Sequence, residues 1–266
     1  MRHMEAYDVG KARGPRRLMV ALLAISVVGC GGTEVVQGEC RPVHGADVCA
    51  FTEMSGSSVV AFGATIPLGA IEGAPADAEM KWPPVPEAEI PMSDAVRTAT
   101  GFKTLTIYWE AHGHPPGPYL TPHFDFHFYS MEPGQIAAID CADVTKPTQL
   151  SAGYVLPDIE IPGLGNLVGL CVPKMGMHAL LESEMIATTT FERAMVVGYD
   201  RAKPIFIEPM ISRASLMAQK SFTLDVPVIA DAPAGVHYPT KFRADYDSTA
   251  KSYRFTFSAM TGAKAY

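Results

Sequence analysis

Four histidines fall within sixteen residues: His112, His114, His123 and His127. Imidazole nitrogens and carboxylate oxygens are the usual protein ligands for zinc, iron and manganese. The last two belong to the run His123-Phe124-Asp125-Phe126-His127-Phe128-Tyr129. Its alternation predicts a strand with Phe124, Phe126 and Phe128 on one face and His123, Asp125 and His127 on the other. Positions two apart on one face are separated by about 7 Å, so His123 with Asp125, or Asp125 with His127, can lean toward one ion. His123 and His127 stand about 13 Å apart along an extended strand, and sharing one ion would need a bend or bulge. A metal takes three or four ligands, so other segments must supply the remainder. His178, after the loop Val172 to Met177, and Glu208, closing the apolar run Pro204 to Ile207, are the best placed. The expected set is His123, His127, His178 and Glu208, with Asp125 a ligand or an orienting neighbour. His112 and His114 are expected at the mouth of the site. The metal is expected to be zinc, iron or manganese, with a small-molecule ligand as the other occupant. A solvent-facing strand or an oligomer interface would present the same polar face.

These residues need a sheet to hold them. Leu105, Ile107 and Trp109 alternate with Thr104, Thr106, Tyr108, Glu110 and His112, which predicts a second half-buried strand. The connection from His112 to Pro122 is rich in proline and glycine and suits a functional loop between adjacent antiparallel strands. Further strands are expected over 58–66, 194–199, 204–208, 221–229 and 253–257, with a turn at Asp200-Arg201. Ser93 predicts a helix cap, with Gly101 as the stop, and Pro133 opens a second short helix. Five prolines between Pro75 and Pro91 predict an extended connector over 74–91, and 143–170 reads as irregular. The expected fold is a β-rich α+β domain over 58–266, an antiparallel sheet or barrel with a few short helices.

The amino-terminal part reads differently. Lys11, Arg13, Arg16 and Arg17 precede an apolar run from Leu18 to Val28, broken only by Ser26. That order predicts an export signal over 1–29, too short to span a bilayer. Val27-Val28-Gly29-Cys30 resembles the bacterial lipobox, which makes Cys30 the lipidated residue of an envelope lipoprotein, periplasm-facing or on the outer membrane. Residues 30–57 read as a tether and a stapled loop. Cys40, Cys49, Cys141 and Cys171 remain, an even number for an oxidising compartment. Of the three possible connectivities, Cys40–Cys49 with Cys141–Cys171 is expected.

The formal charge of −7 argues against nucleic acid as a partner, since phosphate binding needs clustered Lys and Arg. The sequence has no GxSxG elbow, phosphate loop or dinucleotide fingerprint.

The stretch Gly113-His114-Pro115-Pro116-Gly117, with Tyr119 and then Pro122 to Tyr129, resembles the signature of a family of uncharacterised bacterial proteins. It is a domain family of unknown function that includes a sigma-factor-regulated hypothetical protein of a thermophile. Val172-Pro173, Met175-Gly176 and His178, Gly198-Tyr199, Phe206 with Glu208 to Ile211, and Tyr238 to Lys241 extend the likeness over roughly residues 60–260. Members of that family often carry Glu where Pro115 stands and Trp where Ala179 stands. The resemblance implies a common domain and a common site, and no particular reaction.

Three roles follow. The first is an envelope lipoprotein with a His/Glu site for a divalent metal or small ligand. The second is a metal-dependent enzyme, either a hydrolase using metal-bound water or a cupin-type oxidoreductase. The third is a homo-oligomeric structural protein with no ligand.

Overall fold

A computed structural model describes residues 32–186 and 190–261. The export signal expected over 1–29 and the lipidation expected at Cys30 fall outside the described residues. Strands β1 (Glu34–Val43), β2 (Ala46–Ser55), β3 (Ser58–Pro67), β4 (Ala88–Pro91) and β5 (Thr104–Glu110) come first. β6 (His123–Tyr129), β7 (Tyr154–Val155), β8 (Ile159–Ile161), β9 (Gly165–Leu167) and β10 (Met177–Leu181) follow. β11 (Arg193–Asp200), β12 (Lys203–Ser212), β13 (Phe222–Asp225), β14 (Pro239–Asp247) and β15 (Ser252–Met260) complete the series.

One sheet has the order β1-β2-β3-β15-β14-β13 and the other β4-β5-β6-β12-β11-β10-β7, with β8 and β9 as a separate pair. Neighbouring strands are antiparallel throughout. The fold is thus the expected antiparallel, β-rich one with short helices. Among the described residues the two large sheets are open, so the barrel alternative falls away: β1 does not meet β13, nor β4 β7.

The phenylalanines of β6 explain how the sheets meet. Phe126 packs against Phe255 and Phe128 against Phe257, each at 5.0 Å between ring centroids. One cluster of buried side chains joins these to Leu105, Ile107, Ile207 and Ile211 on one sheet and to Phe62, Ala64, Ile66 and Phe242 on the other. Each buried Phe contributes on the order of 2–3 kcal/mol, and the period of two holds His123, Asp125 and His127 on the opposite face.

The polar face of β6 is not solvated. All seven residues of the strand are buried. Irregular chain from 112–122 and 164–176 crosses it, and a second apolar cluster forms there around Tyr119, Tyr129, Leu170, Phe191 and Phe206. The solvent-facing reading of this strand is corrected by that cover.

The tether expected over 30–57 is instead a hairpin. β1 and β2 pair from Glu34↔Met54 to Val43↔Ala46, and His44 and Gly45, at φ 46° and 89°, make its two-residue turn. β1 escaped sequence reading because it is an edge strand, mostly exposed, with no buried alternate face. The Pro-rich connector likewise ends in β4, with Pro91 on the sheet edge where a missing N–H costs least.

The disulfides are Cys40–Cys49, directly across the first hairpin, and Cys141–Cys171. This is the expected pairing. Replacing Cys141 and Cys171 by serine should cost about 3.5 kcal/mol, and Cys40 and Cys49 about 2.5 kcal/mol, from loop closure alone. Urea titration of the two double variants, with non-reducing peptide mapping of the parent, checks this. Four alkylatable thiols in protein prepared under oxidising conditions would refute the pairing.

Candidate metal centre

β12 runs between β6 and β11. Its register with β6, Phe206↔Tyr129 and Ile207↔Phe128, carries Glu208 opposite His127. Pro209 brings no N–H to the ladder, and the paired positions resume only at Met210↔Asp125. β10 joins the far side of β11 through His178↔Gly198, and Gly198 in turn faces Phe206. Glycine is required at 198, because a Cβ there would lie 1.8 Å from the Phe206 ring. With no side chain on Gly198, that ring lies over it and packs against both His127 and His178, at 4.7 and 5.2 Å between ring centroids.

Two groups of three residues have ligand atoms within 4.8 Å of one another: His127, His178 and Glu208, and His114, His123 and Asp125. Three of the four residues expected to converge therefore meet, while His123 joins His114 and Asp125 instead. An unbent strand forces that division, since β6 has no bulge to bring His123 and His127 together. His114 is part of the second group rather than only a mouth residue. His112 is exposed and lines a second cleft that shares Met80 and Glu110 with the cleft of the cluster.

The first group is close enough to hold an ion. His127 Nε2 stands 3.4 Å from Glu208 Oε2 and 3.5 Å from His178 Nε2. Bonds of about 2.1 Å at tetrahedral to octahedral angles place neighbouring ligand atoms roughly 3.0–3.5 Å apart. As a hydrogen bond, an imidazole–imidazole contact this long is weak. Glu208 Oε2 finds no hydrogen-bond partner among the described residues, although its side chain is only 2% exposed. His178 Nδ1 donates to Leu170 O at 3.0 Å, which leaves the Nε2 lone pair facing the group. Gly176, at φ 118°, turns the chain into β10, and a Cβ there would press on Tyr199 O at 2.8 Å. The Cys141–Cys171 bond anchors the same segment beside Leu170.

Electrostatics fit cation binding. Burial, aided by each other's proximity or by the charge on His114, lowers His127 to about 3 and His178 to about 4, so both imidazoles are neutral at neutral pH. Burial likewise lowers His123 to about 4, with Asp125 opposing. Burial, then Asp125 and Glu110, push Glu208 well above the carboxylate range. Burial opposes ionisation of Asp125 too, but His123 and His114 outweigh it and hold it at about 2. Neutral imidazoles beside carboxylates short of positive charge are what a divalent ion compensates.

The cluster floors a cleft of about 90 Å³, whose walls include Met80, Trp82, Leu167, Val172 and Met175. Glu110 also lines it and stands opposite His123 across β5 and β6. Burial and Asp125 raise Glu110 to about 7, against a lowering by His114. The sequence carried the signal for Glu110: it shares the parity of Thr104, Thr106 and Tyr108, and pairing with β6 brings that parity onto the His face. Tyr108 and Tyr129, which box His127, share that parity on β5 and β6, whereas Phe206, the third ring against it, had no such signal.

Comparison with protein-family models, curated proteins and solved structures gives no match to this chain.

Proposed function

We propose that this chain is an exported envelope lipoprotein, lipidated at Cys30, whose β-rich domain binds a divalent metal through His127, His178 and Glu208. The single observation that carries the metal reading is the set of three buried ligand atoms within 4.8 Å of one another, two of their spacings at 3.4 and 3.5 Å, with His178 pinned from behind by a backbone carbonyl. Zinc, iron and manganese all accept two imidazoles and a carboxylate. Export is supported by the charge and hydropathy pattern of residues 1–30 and is compatible with two disulfides. No helix among the described residues is long and apolar enough to cross a membrane, which leaves the acyl chains as the proposed attachment.

A metal-dependent enzyme is the second reading, and the cleft favours it. His178 and Glu208 line an opening, and three protein ligands leave coordination positions for water or substrate, whereas a structural ion closes its shell with four. Isologous contact through the His face is disfavoured, because the chain's own segments already cover that face.

Elemental analysis and metal titration of the purified protein test the proposal. At least one equivalent of zinc, iron or manganese is expected per chain. His127→Ala and His178→Ala should each weaken binding by about a hundredfold or more, since even loss of an outer-shell partner costs 10–100-fold. His237→Ala, whose ring meets only Thr261 O, should bind as the parent does. Equal and negligible effects of all three would end the metal reading.

A further inference from the structure

We propose that the centre is dinuclear: His114, His123 and Asp125 hold a second divalent ion beside the one at His127, His178 and Glu208, with the Asp125 and Glu208 carboxylates between the two. This rests on the metal reading above and extends it.

The second group repeats the construction of the first. His123 Nδ1 donates to Thr121 O at 2.6 Å and His114 Nδ1 to Pro115 O at 2.9 Å. The Nε2 atoms of both rings thereby face Asp125, His123 at 3.3 Å from Oδ1 and His114 at 3.7 Å from Oδ2. Backbone carbonyls behind the imidazoles are the usual means of orienting metal-binding histidines. His123 is fully buried and its Nε2 has no hydrogen-bond partner among the described residues, and the same holds for Asp125 Oδ1. Buried polar atoms left in this state are costly unless something else meets them.

The loop that carries His114 is built to return it to the sheet. His114 N bonds back to Tyr119 O at 3.1 Å. Gly113, at φ 66°, allows the approach, since a Cβ there would lie 2.1 Å from that carbonyl oxygen. Tyr119 closes the wall against Phe191.

The two groups share one strand face. Asp125 and His127 are two apart on β6, about 7 Å at the backbone, and Asp125 and Glu208 line the same cleft. Paired ions in two-metal sites stand about 3.5–4 Å apart, a gap that a carboxylate spans.

Titration of the full protein with Mn²⁺, followed by calorimetry and electron paramagnetic resonance, tests this. Two equivalents and an exchange-coupled spectrum are expected. His123→Gln and His114→Ala should each retain one equivalent and give the six-line signal of isolated Mn²⁺, the second equivalent weakening about a hundredfold. His114→Ala alters a partly exposed loop residue and guards against misfolding of the His123 variant; circular dichroism of both should match the parent. One equivalent in the parent, kept in His123→Gln and lost in His127→Ala, overturns the dinuclear centre and leaves the single site standing. Two equivalents that persist in both variants overturn it too, and no binding at all overturns both readings.

Discussion

Replacing Gly198 by alanine is expected to destabilise the protein by about 3 kcal/mol and to weaken metal binding at least tenfold. The added methyl would meet three atoms of the Phe206 ring at 1.8–2.2 Å. That ring is fully buried and hemmed in by His127, Tyr129 and His178, so it has no cheap rotamer to adopt. Overpacking of this kind costs about 1–3 kcal/mol or more, and a displaced ring disturbs both ligating imidazoles. Urea midpoints and metal titration of Gly198→Ala report the two effects. Adding Phe206→Leu to it should recover part of the stability, giving a coupling energy above about 1 kcal/mol. Parent-like stability in Gly198→Ala would show that the ring does not depend on this gap.

Acid should act on the metal-free protein in two stages. Unfolded chains protonate histidine near pH 6.5, whereas the folded protein keeps His123, His127 and His178 neutral until about 4, 3 and 4. Values depressed by folding mean stability that is present above pH 6.5 and lost as pH falls. Three carboxyls oppose this. Glu110 and Glu184, each raised to about 7 chiefly by burial, and Glu208, raised well above its ordinary value, hold protons that the unfolded chain has released. Values raised by folding mean stability present below about pH 4.5 and lost as pH rises. Between roughly pH 4.5 and 6.5 the two sets nearly cancel. Below about 4.5 the histidines act alone, joined by Asp125 held at about 2, and on the order of 4 kcal/mol should be lost by pH 3. Urea titrations at half-unit steps measure this. A steady decline beginning at pH 6.5 would show that the buried carboxyls are ionised in the folded protein.

The alternation in β5 and β6 was legible because a period of two separates the two faces of a strand, whatever covers them. What covers them was not. Nothing local in 112–122 or 164–176 announces that these irregular segments fold over the polar face and bury it. The division of the site into two groups followed from strand geometry, as the separation of His123 from His127 already implied. Its membership did not, because His114 reaches the sheet only through a turn closed by Gly113 and Tyr119. His44, which reads as a loop residue, is packed against Trp109 and Phe124 because the first hairpin, unseen in the sequence, lies against them. The helix at Asp94–Thr100 was legible in its cap and its stop, though it runs two residues past Thr98, where the sequence placed its end: Ser93 accepts from Val96 N, and Gly101 stops it at φ 81°.

The place of β15 has a consequence for assembly. It pairs with β3 on one side and β14 on the other, and so joins the amino- and carboxyl-terminal hairpins of one sheet. Hairpins such as β11–β12 can close locally within about 1–10 μs. The β3–β15 pairing must instead wait for nearly the whole domain to be synthesised, and bringing such distant segments together is slow. Until it forms, Phe126 and Phe128 lack the rings of Phe255 and Phe257, and the aromatic face of the sheet that carries the histidines is left partly open to water. The interval before β15 pairs is therefore the one in which the chain is most prone to aggregate.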